Sequence, residues 1–283
     1  MILVMKYNLI ILLSINIFIT MASCQGTKNV ADTYVESNPL DYHITGRYSR
    51  MDIDKLGNIY LVDSKNKIHK YNSTFELLFS NSYNTLGRIS HIDVSNPQKI
   101  IVYFSDFQNL LFLDNTLSEI SILNLEPLGY WNIQAVAPSV DNLVWIYDPV
   151  NFRLVKIDES GNVLLNSNEL YSGGIAGNDI PKITARDDRI YLYTESQFMV
   201  FNIFGELIKT VDLENDGLQY LQSKLIYRQD KVLKIRDLKT EFLVDSDDTI
   251  YRLEREAITF YLDKNNQLFI LDDNGVSAIS LQP

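Results

Sequence analysis

An all-β fold built as a ring of repeated four-stranded units is predicted by three features of the sequence. The stretch Phe152 to Leu165, FRLVKIDESGNVLL, runs an apolar strand into Asp158, turns, and starts a second apolar strand at Val163. The same pattern returns as KIHKYNSTFELL around Asn72, NLLFLDNTLSEI around Asp114, FMVFNIFGELI around Asn202 and VLKIRDLKTEFL around Asp237. Those polar residues follow one another at intervals of 42, 44, 44 and 35 residues. A further marker, the apolar start of the preceding strand, recurs at Ile59, Ile101, Trp145, Ile190, Ile226 and Leu268. Periods near about 40 with several strands per unit mark a propeller, one of the radial arrangements by which all-β chains protect their sheet edges. The expected fold is a six-bladed β-propeller of four-stranded blades.

The first blade illustrates the reading. Arg50 to Ile53 forms the inner strand, Ile59 to Asp63 the second, Lys67 to Tyr71 the third and Glu76 to Ser80 the outer one. Turn chemistry separates the β-rich runs at Leu56-Gly57-Asn58, Asn96-Pro97-Gln98, Asp141-Asn142, Asp187-Asp188 and Asn265-Asn266. Asn and Asp suit such joins because their side chains bond the local backbone and tolerate left-handed conformations. Asp158 to Asn162 and Asp272 to Gly275 belong to the same class of turn and lack the ligand spacing of a calcium loop. Blade five, over Leu218 to Leu243, is short and more charged than the others. The sixth unit offers only three strands, Ile258 to Leu262, Leu268 to Asp272 and Val276 to Leu281. Residues 41–48 precede the first unit and are expected to supply the outer strand missing from the sixth, which closes the ring and removes an exposed edge.

The N-terminus reads as an address. Lys6 is the only charge before residue 28, and Asn8 to Thr20 form an apolar run of 13 residues, short of the roughly 20 residues of a membrane span. Ala22 and Ser23 then precede Cys24, the single cysteine of the chain, in the layout of a secretory signal. Met21-Ala22-Ser23-Cys24 resembles a bacterial lipoprotein signal, departing from it at the first position, where Leu is usual. That resemblance implies a signal peptide over residues 1–23, lipidation at Cys24 and a tether over residues 24–40, with the propeller occupying residues 41–283. Gln25, where Asp would imply inner-membrane retention, favours the outer membrane, with the domain facing the periplasm. A lone cysteine leaves no intramolecular disulfide framework. The charge of 25 Lys+Arg against 36 Asp+Glu gives a net of −11, which argues against a nucleic-acid partner.

The motifs DKLGNIYLVDSKNKIHKYNSTFELL, DRIYLYTESQFMVFNIFGELI and DKNNQLFILDDNGVSAISL resemble the six-bladed propellers of the NHL and TolB-like type, in the form found as secreted lipoproteins of Gram-negative bacteria. The resemblance covers residues 41–283. It speaks to fold more than to function, because propellers host enzymes, receptors and scaffolds alike.

Little in the sequence points to catalysis. The histidines, His43, His69 and His91, fall on three separate segments, and no zinc-protease pair, nucleophile elbow or phosphate-binding glycine loop is present. Asp52 and Asp54 alternate on one expected inner strand, and His91 and Asp93 on the next; residues two apart share a face. Oxygen ligands converging on the tunnel could hold calcium, as in the lactonase and arylesterase propellers that the chain resembles in fold. The other inner strands, with Gln134-Ala135-Val136, Lys182-Ile183-Thr184 and Thr259-Phe260-Tyr261, do not complete such a cage, and Lys182 opposes a cation. Asp52, Asp54 and Asp93 are therefore metal candidates only under the alternative of a calcium-dependent hydrolase. The leading expectation carries no cofactor.

One face of the ring is expected to collect the loops that carry Arg88, Phe107, Tyr130, Trp131, Phe152 and Arg153. Aromatics and Arg are over-represented at binding hot spots. The expectation is a non-catalytic, lipid-anchored binding propeller that contacts an outer-membrane protein or complex. In plan it resembles the propeller lipoprotein that assists outer-membrane protein assembly, a protein with more blades. A small-ligand or glycan receptor stacking its ligand on Tyr130, Trp131 and Phe152 is the other alternative.

Overall fold

The structure, a computed structural model, describes residues 42–170, 181–186, 188–238 and 247–281. The signal, Cys24 and the tether lie outside the described residues, as does Asp187 of one expected turn. A short strand, β1 (Tyr42–Thr45), comes first. Blade one follows as β2 (Tyr48–Ile53), β3 (Ile59–Asp63), β4 (Lys67–Tyr71) and β5 (Leu77–Ser82). Blade two is β6 (Ile89–Asp93), β7 (Ile100–Phe104), β8 (Asn109–Leu113) and β9 (Glu119–Asn124). Blade three is β10 (Ala135–Pro138), β11 (Val144–Asp148), β12 (Arg153–Ile157) and β13 (Val163–Asn166). Blade four is β14 (Lys182–Arg186), β15 (Arg189–Tyr193), β16 (Gln197–Asn202) and β17 (Leu207–Asp212). Blade five is β18 (Gly217–Leu221), β19 (Lys224–Gln229), β20 (Val232–Asp237) and β21 (Asp248–Arg252). Blade six is β22 (Thr259–Leu262), β23 (Gln267–Asp272) and β24 (Gly275–Ser280), and its sheet order β1-β24-β23-β22 places the N-terminal strand at its outer edge.

The ring therefore closes as expected. Ile44 lies opposite Val276 and Thr45 opposite Gly275, and the Gly46 N–H donates to Asn274 O at 3.0 Å. All pairings are antiparallel, and each blade is an independent four-stranded sheet.

The repeated Asn or Asp has a physical role in blades one to four; the turn after Asp237 lies outside the described residues. Asn72 Oδ1 accepts the N–H groups of Thr74 and Glu76, and Asp114 Oδ1 those of Thr116 and Ser118. Asp158 and Asn202 do the same for Ser160 and Asn162, and for Phe204 and Glu206. The carboxylate or amide replaces the backbone acceptors that a tight turn withdraws, so the marker fixes where the third strand ends. The interval of 35 residues reflects short connections: four residues join β17 to β18, two join β18 to β19 and two join β19 to β20. Leu221 pairs with Lys224 across Gln222 and Ser223, whose φ angles are 49° and 65°, the two-residue hairpin with both central residues left-handed. Asp54 to Asn58 makes the corresponding turn of blade one with a longer loop. Blade five also extends past Leu243, because its outer strand is β21.

The core is not central. Six clusters of buried apolar side chains fill the seams between adjacent blades, such as Tyr60, Val62 and Ile68 against Ile89, Val102 and Leu111 at the first seam. Trp145 and Leu154 meet Ile190 and Phe201 between blades three and four, and Phe269 and Leu271 meet Met51 and Leu61 where the ring closes. Burying both faces of the second and third strands explains their unbroken apolar runs, with β7, β8 and β11 buried throughout. The axis is left to the inner strands, and these line a channel.

Candidate functional site

Two places collect chemistry: the axial channel and the face where the blade-to-blade loops emerge with the loops between second and third strands.

The channel has a volume of about 700 Å³ and is walled by the inner strands β2, β6, β14, β18 and β22. Asp52 and Asp93 come together there from blades one and two. Asp52 accepts the N–H groups of Ile53 at 2.9 Å and of Val94 at 3.0 Å, so its carboxylate bridges the seam. Burial first, and then the charge of Asp93, push the Asp52 carboxyl up to about 7 against those two bonds and Arg186. Asp93 accepts from Ser95 N–H at 2.9 Å and lies 3.8 Å from Arg186. His91, on the same wall, is held down to about 4, foremost by burial; Asp93 opposes this, while Arg50, Lys182 and Arg186 add to it. A neutral imidazole results, and its Nε2 is buried with no hydrogen-bond partner among the described residues.

Asp54 does not join this pair. β2 ends at Ile53, so the two-residue alternation that placed Asp54 beside Asp52 no longer operates. Asp54 is buried in the turn that follows: Oδ1 accepts from Leu56 N–H and Asn58 N–H, and Oδ2 from the Asn58 amide and the Tyr60 hydroxyl. Every lone pair that a cation would use is occupied by the turn. Among the described residues no group of three or more His, Cys, Asp or Glu side chains converges on a point where a metal ion could sit. Arg186 beside Asp93 further opposes a divalent cation at the Asp52–Asp93 pair. Sequence reasoning noted Lys182 only as opposing a metal and did not join it to Arg50 and Arg186, yet all three line the channel. Each alone is an ordinary charged strand residue, and only the ring brings blades one and four together.

On the loop face the structure sorts the six expected residues. Phe107, Trp131 and Phe152 are exposed, at 54%, 53% and 43%. Arg88 is exposed too; its N–H donates to Asp106 Oδ2 at 2.9 Å, which ties neighbouring loops together. Tyr130 is instead buried against Leu125 and Ile133 in the seam between blades two and three. A 3-10 turn over Glu126–Leu128 ends at the left-handed Gly129, and the Tyr130 N–H donates back to Leu125 O, which sends the ring inward and leaves Trp131 outside. Arg153 is half-buried and leans on the buried Asp148 at 3.6 Å, so it anchors blade three rather than facing solvent.

A groove of about 400 Å³ is lined by Ser105, Gln108, Asn132, Ile133, Gln134, Pro149 and Val150, residues next to Phe107 and Trp131 and near Phe152 in sequence. Its floor is rigid. Gln108 Oε1 accepts from Ile133 N–H at 2.7 Å, Gln108 Nε2 donates to Ser105 O at 2.8 Å, and the Tyr103 hydroxyl donates to Ile133 O at 2.7 Å. Phe152 holds φ at 49°, a left-handed conformation rare for a bulky residue. Asn66 and Gln108 precede the third strands of blades one and two in the same conformation, and each spends its side chain on loop hydrogen bonds. Phe152 instead presents its ring to solvent.

No protein-family model matches the chain. No curated protein is similar to it in sequence. Solved structures are similar in fold. Virginiamycin B lyase from Staphylococcus aureus, determined with quinupristin, superposes with a TM-score of 0.57 at 12% identity, over 82% of this chain and 80% of the lyase. BamB from Moraxella catarrhalis gives 0.50 at 13% identity over 82% and 84% of the two chains. BBS1N, determined in complex with ARL6DN, gives 0.56 at 11% identity over 86% and 94%. At such identities the likeness is one of fold, and the protein is a six-bladed β-propeller with neighbours among binding propellers and lyases.

Proposed function

We propose that this propeller is a non-catalytic binding module that docks a protein partner on its loop face. The observation that carries the reading is the trio Phe107, Trp131 and Phe152, exposed on loops whose neighbouring residues Gln108, Asn132 and Val150 line a groove with a floor fixed by buried hydrogen bonds. Large rings on a pre-ordered surface lose little entropy when a partner covers them, and they supply most of the energy at binding hot spots. Phe152 strengthens the case, because the conformation it holds would be less costly with Asn or Gly. The groove offers a partner both apolar contact at Ile133, Pro149 and Val150 and hydrogen bonding at Ser105, Asn132 and Gln134.

The lipoprotein-like N-terminus supports tethering through Cys24 to the outer membrane, with the domain facing the periplasm and an outer-membrane protein or complex as partner. The complex of BBS1N with ARL6DN is a precedent for a propeller of this shape engaging another protein.

The test is affinity capture by the mature protein from solubilised outer membranes, with wild type beside a Trp131→Ala, Phe152→Ala double variant whose folding is checked by thermal melting. A discrete membrane protein retained by wild type and lost from the folded variant is the expected result. Equal retention by both, or none by wild type at mild salt, overturns the reading.

A further inference from the structure

The channel cations are unusual for this chain. The protein carries a net charge of −11, yet Arg50 from blade one, Lys182 and Arg186 from blade four and Arg228 from blade five all line one channel. Two of these cations have carboxylate partners: in the same channel Arg228 donates to Asp216 Oδ1 at 2.6 Å, and Arg186 lies 3.8 Å from Asp93. Arg50 and Lys182 differ. Arg50 Nε donates to Ile89 O at 3.1 Å, and among the described residues its terminal nitrogens meet no carboxylate. Lys182 has neither a hydrogen bond nor an ion pair there. Its ammonium is held below its ordinary value by burial and then by Arg50, which Glu195 and Asp216 only partly offset. Lys182 stays open to solvent in the channel and Arg50 is half-buried, so their repulsion is screened but not cancelled, and an anion entering from solvent relieves both.

Deeper in the channel the chemistry changes. Asp52 follows Arg50 by two residues on β2, about 7 Å along the strand. Around the Asp52–Asp93 pair stand Tyr193 and Tyr261, both lining the channel and neither hydrogen-bonded among the described residues. Burial raises both phenols, so they stay neutral donors. The walls thus offer a cationic end and, one step further in, hydroxyls and carboxylates that would bond a polar body.

We propose that the axial channel binds a small organic anion, its carboxylate or phosphate held between Arg50 and Lys182 and its hydroxyl-bearing body bonded by Tyr193, Tyr261 and the Asp52–Asp93 pair. The volume of about 700 Å³ lies within the range of ligand pockets. The site is separate from the loop-face groove, and neither reading depends on the other.

Calorimetric titration of the mature protein with glucuronate, glucose 6-phosphate, inorganic phosphate and glucose tests it. Expected is saturable binding of at least one anionic sugar that weakens with added salt, and none of glucose. Preference for glucuronate assigns a carboxylate head and preference for glucose 6-phosphate a phosphate head. Lys182→Met and Arg50→Gln should each weaken binding by about tenfold or more, the loss of one charge-assisted hydrogen bond. Lys182→Met should melt at or above the wild-type temperature, because it relieves repulsion and breaks no bond. Trp131→Ala, Phe152→Ala should leave anion binding intact. Absence of binding by all three anions at millimolar concentration, or binding unchanged in both channel variants, overturns the proposal.

Discussion

Asp93 stands close enough to Asp52 across the seam between blades one and two that its charge, after burial, is what drives the Asp52 carboxyl up to about 7. The consequence is a stability that depends on pH in the direction opposite to that of an ordinary salt-bridged Asp. A carboxyl whose folded value lies above its unfolded one binds its proton more tightly when folded. Its contribution is fully present below about 4 and is lost as pH rises toward about 7.

Asp93→Asn removes the neighbouring charge and should bring the Asp52 carboxyl down toward the usual range. Carboxyl titration by carbon NMR should find the Asp52 midpoint lower in the variant by about a unit or more. Urea melts between pH 4 and 8 should show a shallower decline, set against a ceiling of about 1.4 kcal/mol per pH unit for one proton. An unchanged midpoint would mean that burial alone raises Asp52.

Tyr130 and Trp131 are adjacent in sequence and opposite in role. Tyr130→Ala should cost about 3–5 kcal/mol, as for other large buried rings, because Tyr130 is 8% exposed in the seam with Leu125 and Ile133. Trp131→Ala should stay within about 0.5 kcal/mol of wild type. Chemical denaturation of the two variants side by side checks this, and similar losses would contradict the assignment of inward and outward rings.

These contrasts show what a sequence can disclose. The blade repeat was legible because Asn72, Asp114, Asp158 and Asn202 act locally, each bonding N–H groups two and four residues ahead. Ring closure was legible because the last unit lacked a strand that residues 42–45 could supply. Asp54 was misplaced because the alternation of β2 was carried one residue past the strand's end, where turn bonds decide direction. Its resemblance to the other turn residues, two places before Leu56 and four before Asn58, was the signal that could have corrected it. Tyr130 was misplaced because the left-handed Gly129 decides which of two neighbouring rings enters the seam. The cationic end of the channel was hidden for another reason: Arg50 and Lys182 are separated by more than half the domain and meet only when the ring is shut.

Ring closure hangs on Gly275. Its φ is 142°, and a Cβ there would lie 2.0 Å from Ile44 O, in the pairing of β24 with β1. Gly275→Ala must either break that pairing or displace backbone, so it should cost about 3 kcal/mol or more, at the upper end for single substitutions. Hydrogen exchange should locate the damage: amides of residues 43–46 and 275–278 should lose protection before those of blade three. Uniform loss of protection would argue that the blades do not close independently.

Phe152 joins stability to recognition most directly. Its ring is exposed and its backbone is left-handed at φ 49°, a conformation that costs an ordinary residue about 1–2 kcal/mol. Asn66 occupies the matching position of blade one at φ 56°, as Asn does with less penalty. Phe152→Asn should therefore stabilise the domain by about 0.5–1 kcal/mol in urea melts, while Phe152→Gly gains less than the removal of strain suggests because it loosens the unfolded chain. The same Phe152→Asn protein should retain less of the membrane partner than wild type, by about tenfold if the ring is a hot spot. Higher stability together with weaker capture would identify the ring as held in place for recognition rather than for folding. Higher stability with capture unchanged would place the docking surface elsewhere on the ring.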